Sequence, residues 1–393
     1  MADNIEDFRI QVPQQVLDDL QLRLKLTRLP DQLNDAGWHY GTELGYLREL
    51  LDYWQNRFDW RKAEDGLNRF NHYRTEVDGI RLHFIHQRSK HENALPLLLS
   101  HGWPGSIYEF HKIIAPLTDP ENHGGSADDA FHVVCPSIPG YGFSQAPTRP
   151  GFDAIAVAKT FAGLMARLGY DRYGAQGGDW GATISMWMGH LFPAHAVGIH
   201  LNMVPVFLPK KGTEVTLSDA DKARLALLRK RMAGEMAYFD QQSTRPQTLG
   251  YGLNDSPAGL AAWILEKFRA WSDCEGDVES CFSKDDLLTN IMIYWATGSI
   301  TSSMRLYYET EHTRLRGIAA GTIDKANTPD VAVPTGCALF PQELTQPPRS
   351  WAEQYFNITR WTEMPRGGHF AALEQPERLV DEIRAFFRPL RNS

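Results

Sequence analysis

The order of strand-like and helix-like segments limits the fold of this chain more than any other feature of its sequence. A hairpin signal at Asp78-Gly79 is followed by short apolar runs typical of buried strands, which alternate with runs typical of helices. The predicted strands are residues 72–77, 80–86, 95–100, 131–136, 173–176, 197–204, 331–340 and 358–364, and the predicted helices among them are 152–168, 181–192 and 376–387. Strands joined through helices run parallel. The sequence therefore predicts an α/β fold with a mostly parallel central sheet flanked by helices.

This alternation stops after residue 205 and resumes at residue 331. The stretch between has helical patterns at 225–237, 260–271 and 285–295. Because it lies between two core strands, we expect residues 206–330 to form an inserted helical lid. Residues 1–72 carry leucines at helical spacing, which need a partner surface. We therefore expect an N-terminal helical extension (1–72) packed on an α/β core made of residues 73–205 and 331–393.

The pentapeptide Gly177-Gly178-Asp179-Trp180-Gly181 lies between a predicted strand and a predicted helix. It has the small-x-nucleophile-x-small spacing of a nucleophile elbow, with aspartate where serine hydrolases carry serine. The alternative is that Asp179 only caps the helix, a role that suits aspartate. A rival elbow at residues 142–146 is followed at once by Pro147 and Pro150, which favours a loop there. The chain contains no G-x-S-x-G, so a serine esterase is disfavoured.

An aspartate nucleophile restricts the substrate. A carboxylate can attack a saturated carbon and form an alkyl ester, whereas it is a poor start for ester hydrolysis. The substrate is therefore expected to carry an electrophilic sp³ carbon, as epoxides and alkyl halides do.

The base and its orienting acid are expected later in the chain. His369 follows the last predicted strand within Gly367-Gly368-His369-Phe370, the place of the histidine in the α/β-hydrolase chain order. It would deprotonate the water that cleaves the ester. Glu343 follows strand 331–340 and is expected to orient His369, whereas Asp330 precedes that strand and lies at the wrong end of a parallel sheet. A solvated loop carboxylate is the alternative for Glu343.

The sequence His101-Gly102-Trp103-Pro104-Gly105 follows the buried strand at 95–100. In this architecture that loop lends a backbone N–H to the oxyanion hole. We expect the N–H groups of Trp103 and Trp180 to form that hole, and the side chains of Trp103, Pro104 and Trp180 to contact the substrate. A Pro-Gly turn beside a buried tryptophan is the alternative.

Composition excludes several classes of function. The net charge of −8 argues against nucleic-acid binding. The four cysteines form no C-x-x-C pair and no disulfide scaffold, so we expect reduced thiols and a cytoplasmic location, with Cys135 and Cys337 in buried strands. The chain has no H-E-x-x-H, and the histidines at 190, 195 and 200 do not share one helical face, so we expect no metal or other cofactor. No signal peptide and no apolar run of about 20 residues is present, so we expect a soluble protein.

With these residues identified, the chain resembles the microsomal-type epoxide hydrolases, the branch that includes mammalian microsomal and insect juvenile-hormone enzymes. The resemblance runs over almost the whole chain and rests on residues 8–30, 101–105, 177–181, 253–257, 286–290, 340–344 and 367–372. It implies two lid tyrosines that hydrogen-bond the epoxide oxygen and protonate it. By motif these fall on Tyr238 and Tyr307, with Tyr308 as a substitute for Tyr307. It also implies a membrane anchor in the mammalian branch, which is not expected here because the helical segment starts almost immediately.

The resulting hypothesis is an epoxide hydrolase that forms an ester on Asp179 and releases a vicinal diol. A haloalkane dehalogenase would use the same Asp179 and His369, with the Trp180 indole as a halide donor. A non-catalytic binding protein of the same fold is a third alternative. The aromatic content of 11% favours a bulky or aryl epoxide. Detoxification, catabolism and biosynthesis all remain open as roles, and a homodimer is one alternative for the oligomeric state.

Overall fold

A nine-stranded sheet forms the centre of the computed structural model, which describes residues 5–206, 208–210, 212–320 and 329–391. Its strands are β1 (Glu6–Phe8), β2 (His72–Val77), β3 (Ile80–Gln87), β4 (Leu95–Ser100), β5 (Phe131–Pro136), β6 (Tyr173–Gly177), β7 (Ala196–Leu201), β8 (Val331–Leu339) and β9 (Phe356–Glu363). Their order in space is β1-β2-β3-β5-β4-β6-β7-β8-β9. The pairs β1–β2, β2–β3 and β3–β5 are antiparallel. The remaining pairs, from β5–β4 to β8–β9, are parallel. The predicted mostly parallel sheet is confirmed.

The parallel strands end in register at one edge of the sheet. Ser100 pairs with Gly177 and Gly177 with Leu201, while Leu201 pairs with Cys337. The loops that leave these carboxyl ends therefore meet above one edge, which is where open α/β sheets place their sites. Cys135 and Cys337 are both buried in strands, as predicted.

Helices cover both faces of the sheet, and further helices lie over the carboxyl ends of its parallel strands. In the core they are α4 (Ile114–Thr118), α5 (Ala154–Arg167), α6 (Asp179–Leu191), α13 (Arg349–Ala352), α14 (Ala371–Glu374) and α15 (Pro376–Phe387), preceded by α1 (Gln14–Lys25), α2 (Leu44–Asn56) and α3 (Trp60–Leu67). Between β7 and β8 they are α7 (Asp219–Met232), α8 (Ala237–Thr244), α9 (Pro246–Asp255), α10 (Pro257–Trp271), α11 (Lys284–Thr297) and α12 (Ile300–Ala319). The described helices include none long and apolar enough to cross a bilayer.

The N-terminal segment differs from its helical prediction in one way. It contains a strand, β1, which adds to the sheet edge beside β2 and whose Phe8 ring lies 3.8 Å from the Arg74 guanidinium. Three residues are too few to show a period of two, so the helical pattern around them concealed the strand. Helices α1 and α2 also contact α10 of the lid. The Thr42 hydroxyl donates to the Ala262 carbonyl at 2.7 Å across that contact.

The lid region differs from its prediction in its helix boundaries. The predicted helix at 225–237 is confirmed only as far as Met232, because α7 ends there and α8 begins at Ala237, with Gly234 between them. Glycine weakens a helix at such a position. Helices α9 and α12 were not predicted. Residues 207, 211 and 321–328 of the predicted lid, like residues 1–4 and 392–393, lie outside the described residues.

Candidate active site

Asp179 stands at the sharp turn between β6 and α6, at a positive φ of 50°. Such a φ is strained for a residue with a side chain, and functional turns are where it is found. A Cβ on Gly177 would lie 2.2 Å from the backbone of Gly181, and a Cβ on Gly181 would lie 1.8 Å from the carbonyl oxygen of Ser100. The two small residues of the elbow are therefore required by close backbone approach, as the pentapeptide pattern predicted.

The structure brings Asp179 together with three of the other predicted residues. The Trp103 N–H donates to Oδ1 of Asp179 at 2.9 Å. Nε2 of His369 lies 3.5 Å from Oδ2 of Asp179. Nδ1 of His369 donates to Oε1 of Glu343 at 2.8 Å. Glu343, His369 and Asp179 thus form a chain of polar contacts that ends at the elbow. The Oδ1 atom of Asp179, which does not face His369, accepts the Trp103 N–H.

The loops after β8 and β9 hold Glu343 and His369 in place. The His369 N–H donates to the Trp271 carbonyl at 2.9 Å, and the Gly367 N–H donates to the Asp273 carboxylate at 2.8 Å. The lid therefore supports the histidine from above. Asp330 has an exposed side chain paired with Lys210, and it precedes β8. It lies at the opposite end of that strand from Glu343, as the parallel sheet predicted.

The charges around His369 set its protonation. Burial by itself lowers the pKa of His369, but the charge of Glu343, the hydrogen bonds to Asp179 and Glu343, and the charge of Asp179 outweigh it. The pKa of His369 is raised well above its usual value as a result. Part of that rise depends on the negative charge of Asp179, so it disappears if that charge is neutralised.

Tyr238 and Tyr307 come from different lid helices, α8 and α12, and both face the elbow. The ring of Tyr238 stacks on Trp103 with centroids 5.3 Å apart, and the ring of Tyr307 meets Trp180 edge-on at 4.8 Å. Burial, and in addition the nearby charge of Asp179, raises the pKa of both phenols well above 10. Both tyrosines therefore stay protonated at any ordinary working pH.

Three other predicted positions are placed as follows. The carbonyl of Pro104 accepts a hydrogen bond from Asn290 of the lid. The indole N–H of Trp180 is buried and has no hydrogen-bond partner within the described residues. The Tyr308 ring stacks on His312 at 3.8 Å, a contact within α12 that sets it apart from Tyr307. At the rival elbow, the Ser144 hydroxyl donates to the Ser137 carbonyl and accepts from the His83 N–H, which fits a structural loop.

Sequence reasoning missed two residues of this site. The Trp271 ring packs against Tyr238 and His369, with centroids 5.1 Å from each, yet a tryptophan in a lid helix reads as ordinary packing. Glu109, in the 3₁₀ turn Ile107–Phe110, lies near the charges of His369 and Asp179, and burial raises its pKa to about 8. No spacing rule links Glu109 to the elbow, so only the structure identifies it.

Across residues 5–206, 208–210, 212–320 and 329–391, no three side chains of histidine, cysteine, aspartate or glutamate are grouped as metal ligands would be. The reactive groups described at this site are its carboxylates, its imidazole, its phenols and its backbone donors.

Two family models match the chain, one described as the epoxide hydrolase N terminus over residues 5–110 and one as the alpha/beta hydrolase fold over residues 96–299. A putative epoxide hydrolase of Stigmatella aurantiaca is 49% identical over 98% of this chain and 86% of that protein. Epoxide hydrolase 1 of Sus scrofa is 43% identical over 98% of this chain and 88% of that protein. Both matches span the elbow and the loops that face it.

Solved structures agree with these matches. The juvenile hormone epoxide hydrolase of the silkworm Bombyx mori superposes with a TM-score of 0.89 at 33% identity, covering 99% of this chain and 95% of that one. The epoxide hydrolase of Aspergillus niger superposes with a TM-score of 0.86 at 32% identity, covering 98% and 97%. The predicted α/β-hydrolase fold is confirmed.

The close approach at the elbow leads to a first prediction. Gly181→Ala places a Cβ against the Ser100 carbonyl, so we expect loss of activity together with a clearly lower melting temperature or loss of soluble protein. Gly252→Ala is the matched control, because a Cβ there, within α9, meets no atom within 4 Å. We expect that control to be neutral or stabilising by up to about 1 kcal/mol. Equal melting temperatures for the two variants would contradict this account of the elbow.

A second prediction concerns the charge of Asp179. Asp179→Asn removes a contribution that raises the pKa of His369, so the pKa of this imidazole is expected to fall relative to the wild type. NMR titration of the imidazole nitrogens would measure it. Asp330→Asn, an exposed change beyond the other end of β8, serves as the control and should leave the pKa of His369 unaltered. An unchanged His369 pKa in Asp179→Asn would show that the two groups are not electrostatically coupled.

Proposed function

The chain belongs to the epoxide hydrolase family, and on that basis we propose that it converts an epoxide and water to a vicinal diol through a covalent ester on Asp179. One observation carries the proposal. The elbow places a carboxylate close to two buried phenols, Tyr238 and Tyr307, both protonated at neutral pH. A nucleophile for a saturated carbon and acids for an alkoxide leaving group are the two things that epoxide opening requires.

In the first step the phenols of Tyr238 and Tyr307 hold the epoxide oxygen and Asp179 attacks a ring carbon. Oδ1 of Asp179 is held by the Trp103 N–H, so Oδ2 is the attacking atom. A carbon–oxygen bond forms to Oδ2 while the ring carbon–oxygen bond breaks. One tyrosine gives its proton to the opening oxygen. The product is a hydroxyalkyl ester whose carbonyl oxygen is Oδ1.

In the second step His369 takes a proton from water, which attacks the carbonyl carbon of the ester. Ester formation has removed the charge of Asp179, so the pKa of His369 falls and its imidazolium proton passes to the tyrosinate, which restores the tyrosine and leaves a neutral imidazole as the base. Glu343 stabilises the imidazolium that results. Negative charge develops on Oδ1, where the N–H groups of Trp103 and Trp180 are proposed to receive it. The bond between the carbonyl carbon and Oδ2 breaks, and the hydroxyl proton of the tetrahedral intermediate passes to Oδ2, which leaves with the diol. Asp179 is again a carboxylate, made of Oδ1 and the water oxygen, and His369 keeps the other water proton as in the resting protein.

The aromatic rings around the elbow favour an apolar substrate. The Trp103 ring centroid lies within 6.3 Å of those of Tyr238, Trp271 and Tyr307, and the Tyr238 centroid lies within 6.0 Å of those of Trp271 and Tyr307. Such walls suit aryl or bulky alkyl epoxides, so we propose a role in detoxification or in the catabolism of aromatic hydrocarbons. The proposed cytoplasmic location is supported by the four cysteines, all of which are free thiols.

A third prediction tests the nucleophile. His369→Gln is expected to form the ester but hydrolyse it slowly, so its intact mass should rise by one whole epoxide after mixing with a terminal epoxide such as styrene oxide. Asp179→Ala in the same background should abolish the gain. An adduct from a haloalkane but from no epoxide would support the dehalogenase instead, an alternative that the relatives do not favour. No adduct from either class, with the variant folded, would contradict the proposal.

A fourth prediction tests the lid phenols. Tyr307→Phe removes a donor to the leaving oxygen, so ester formation in a single turnover is expected to slow by about a hundredfold. Quenched-flow mass spectrometry would measure that rate. Tyr308→Phe is the matched control, because its ring is stacked on His312, and its rate should stay within about twofold of the wild type. The reverse order of effects would assign the proton donor to Tyr308.

A further inference from the structure

Two side chains of the lid helix α11 form hydrogen bonds with the loop that carries the Trp103 N–H. The Tyr294 hydroxyl donates to the Gly105 carbonyl at 2.6 Å. Nδ2 of Asn290 donates to the Pro104 carbonyl at 2.8 Å, and Oδ1 of Asn290 accepts from the Ser106 hydroxyl at 2.8 Å. Asn290 and Tyr294 are four residues apart, so they lie on one face of the helix. Three consecutive residues of the loop are thus held by two side chains of the lid.

These bonds lie in the interior of the protein. The side chains of Asn290 and Tyr294 are buried, and so are Pro104, Gly105 and Ser106. A buried hydrogen bond is costly to lose, because water does not replace the missing partner. One turn of α11 earlier, Asp286 accepts from the Tyr108 hydroxyl at 2.7 Å, which extends the same contact beyond the loop. The lid helix and the loop are therefore joined by several polar contacts, and these contacts exist only while α11 lies against the loop.

The loop of residues 102–106 packs tightly against Asp179, so a shift of this loop would also move the Trp103 N–H. A Cβ on Gly102 would lie 2.2 Å from Oδ1 of Asp179, so the backbone of the loop passes directly against the carboxylate. The Trp103 N–H that reaches Oδ1 is only one residue before the carbonyl held by Asn290. A displacement of residues 104–106 would therefore change the distance and angle of the hydrogen bond to Asp179.

We propose that Asn290 and Tyr294 are positioning residues that place the Trp103 N–H for ester hydrolysis, so that docking of the lid and assembly of the oxyanion hole are one event. This inference rests on the proposed ester on Asp179 and adds a source for the geometry of its oxyanion hole. Neither side chain needs to touch the substrate. Both act through the backbone of the loop after β4.

The two half-reactions depend on that N–H in opposite ways. When the ester forms, the carboxylate loses negative charge, so a hydrogen bond to Oδ1 becomes weaker and does not speed the step. When the ester is hydrolysed, negative charge builds on Oδ1 and the same bond becomes stronger. A misplaced donor therefore slows hydrolysis, whereas it leaves ester formation unchanged or makes it slightly faster. A general loss of folding or of lid closure would slow both steps.

The experiment measures both steps in Tyr294→Phe with styrene oxide, by quenched-flow intact mass of the protein. We expect hydrolysis of the ester to slow by about tenfold, less than complete loss of an oxyanion donor would cause, with ester formation within about twofold of the wild type. Ester-bound protein should then accumulate in the steady state. Asn290→Leu, which loses both of its bonds to the loop, should increase the accumulation further.

Tyr173→Phe provides the matched control. It also removes a buried hydroxyl, from β6, and that hydroxyl makes no hydrogen bond within the described residues. Its two rates should equal those of the wild type. Hydrolysis at the wild-type rate in Tyr294→Phe, or equal slowing of both steps, would overturn the inference. If Asn290→Leu does not fold, Tyr294→Phe decides alone.

The intact mass of His369→Gln after mixing with styrene oxide distinguishes failure of this inference from failure of the proposed covalent mechanism. An ester trapped in His369→Gln, combined with normal ester hydrolysis in Tyr294→Phe, would reject only the role of α11. Absence of the ester in a folded His369→Gln protein would reject the covalent mechanism and the inference together.

Discussion

The contact between Gly181 and the Ser100 carbonyl is the constraint from which the rest of the site follows. It brings the start of α6 against the end of β4, and only a residue without a side chain fits there. Asp179 is thereby forced to a positive φ, which lifts its carboxylate above the sheet edge. The loop after β4 then passes beside that carboxylate and can present the Trp103 N–H to it. The proposed nucleophile and the proposed oxyanion donor are thus brought together where two backbone segments approach closely.

The electrostatics of the site depend on a change of charge during the reaction. In the resting protein His369 lies between two carboxylates, Asp179 and Glu343, and its pKa is raised accordingly. Glu109 lies near the same charges, and burial raises its pKa to about 8. In the proposed mechanism, alkylation of Asp179 removes one negative charge from this cluster. That step thus lowers the pKa of His369 and prepares the imidazole as the base for the next step.

The parts of the fold and the site that could be predicted from the sequence are those set by short-range rules. The elbow around Asp179 follows from steric limits at adjacent positions, and the place of Glu343 follows from the direction of a parallel strand. Tyr238 and Tyr307 came only from family resemblance, since their helices meet the elbow through tertiary packing. Strand β1 is too short to show a pattern. Asn290 and Tyr294 act on backbone carbonyls, which leave no trace in side-chain spacing.

The packing of the N-terminal helices against the lid has a consequence for synthesis of the chain. Thr42 and its partner Ala262 are 220 positions apart, so the first helices leave the ribosome long before their partner surface exists. At typical elongation rates that interval is roughly ten to forty seconds. Throughout it, apolar residues such as Leu20, Leu50 and Trp54, which are buried in the folded protein, have no lid to cover them. The nascent chain therefore exposes this apolar surface until the residues of α10 have been synthesised.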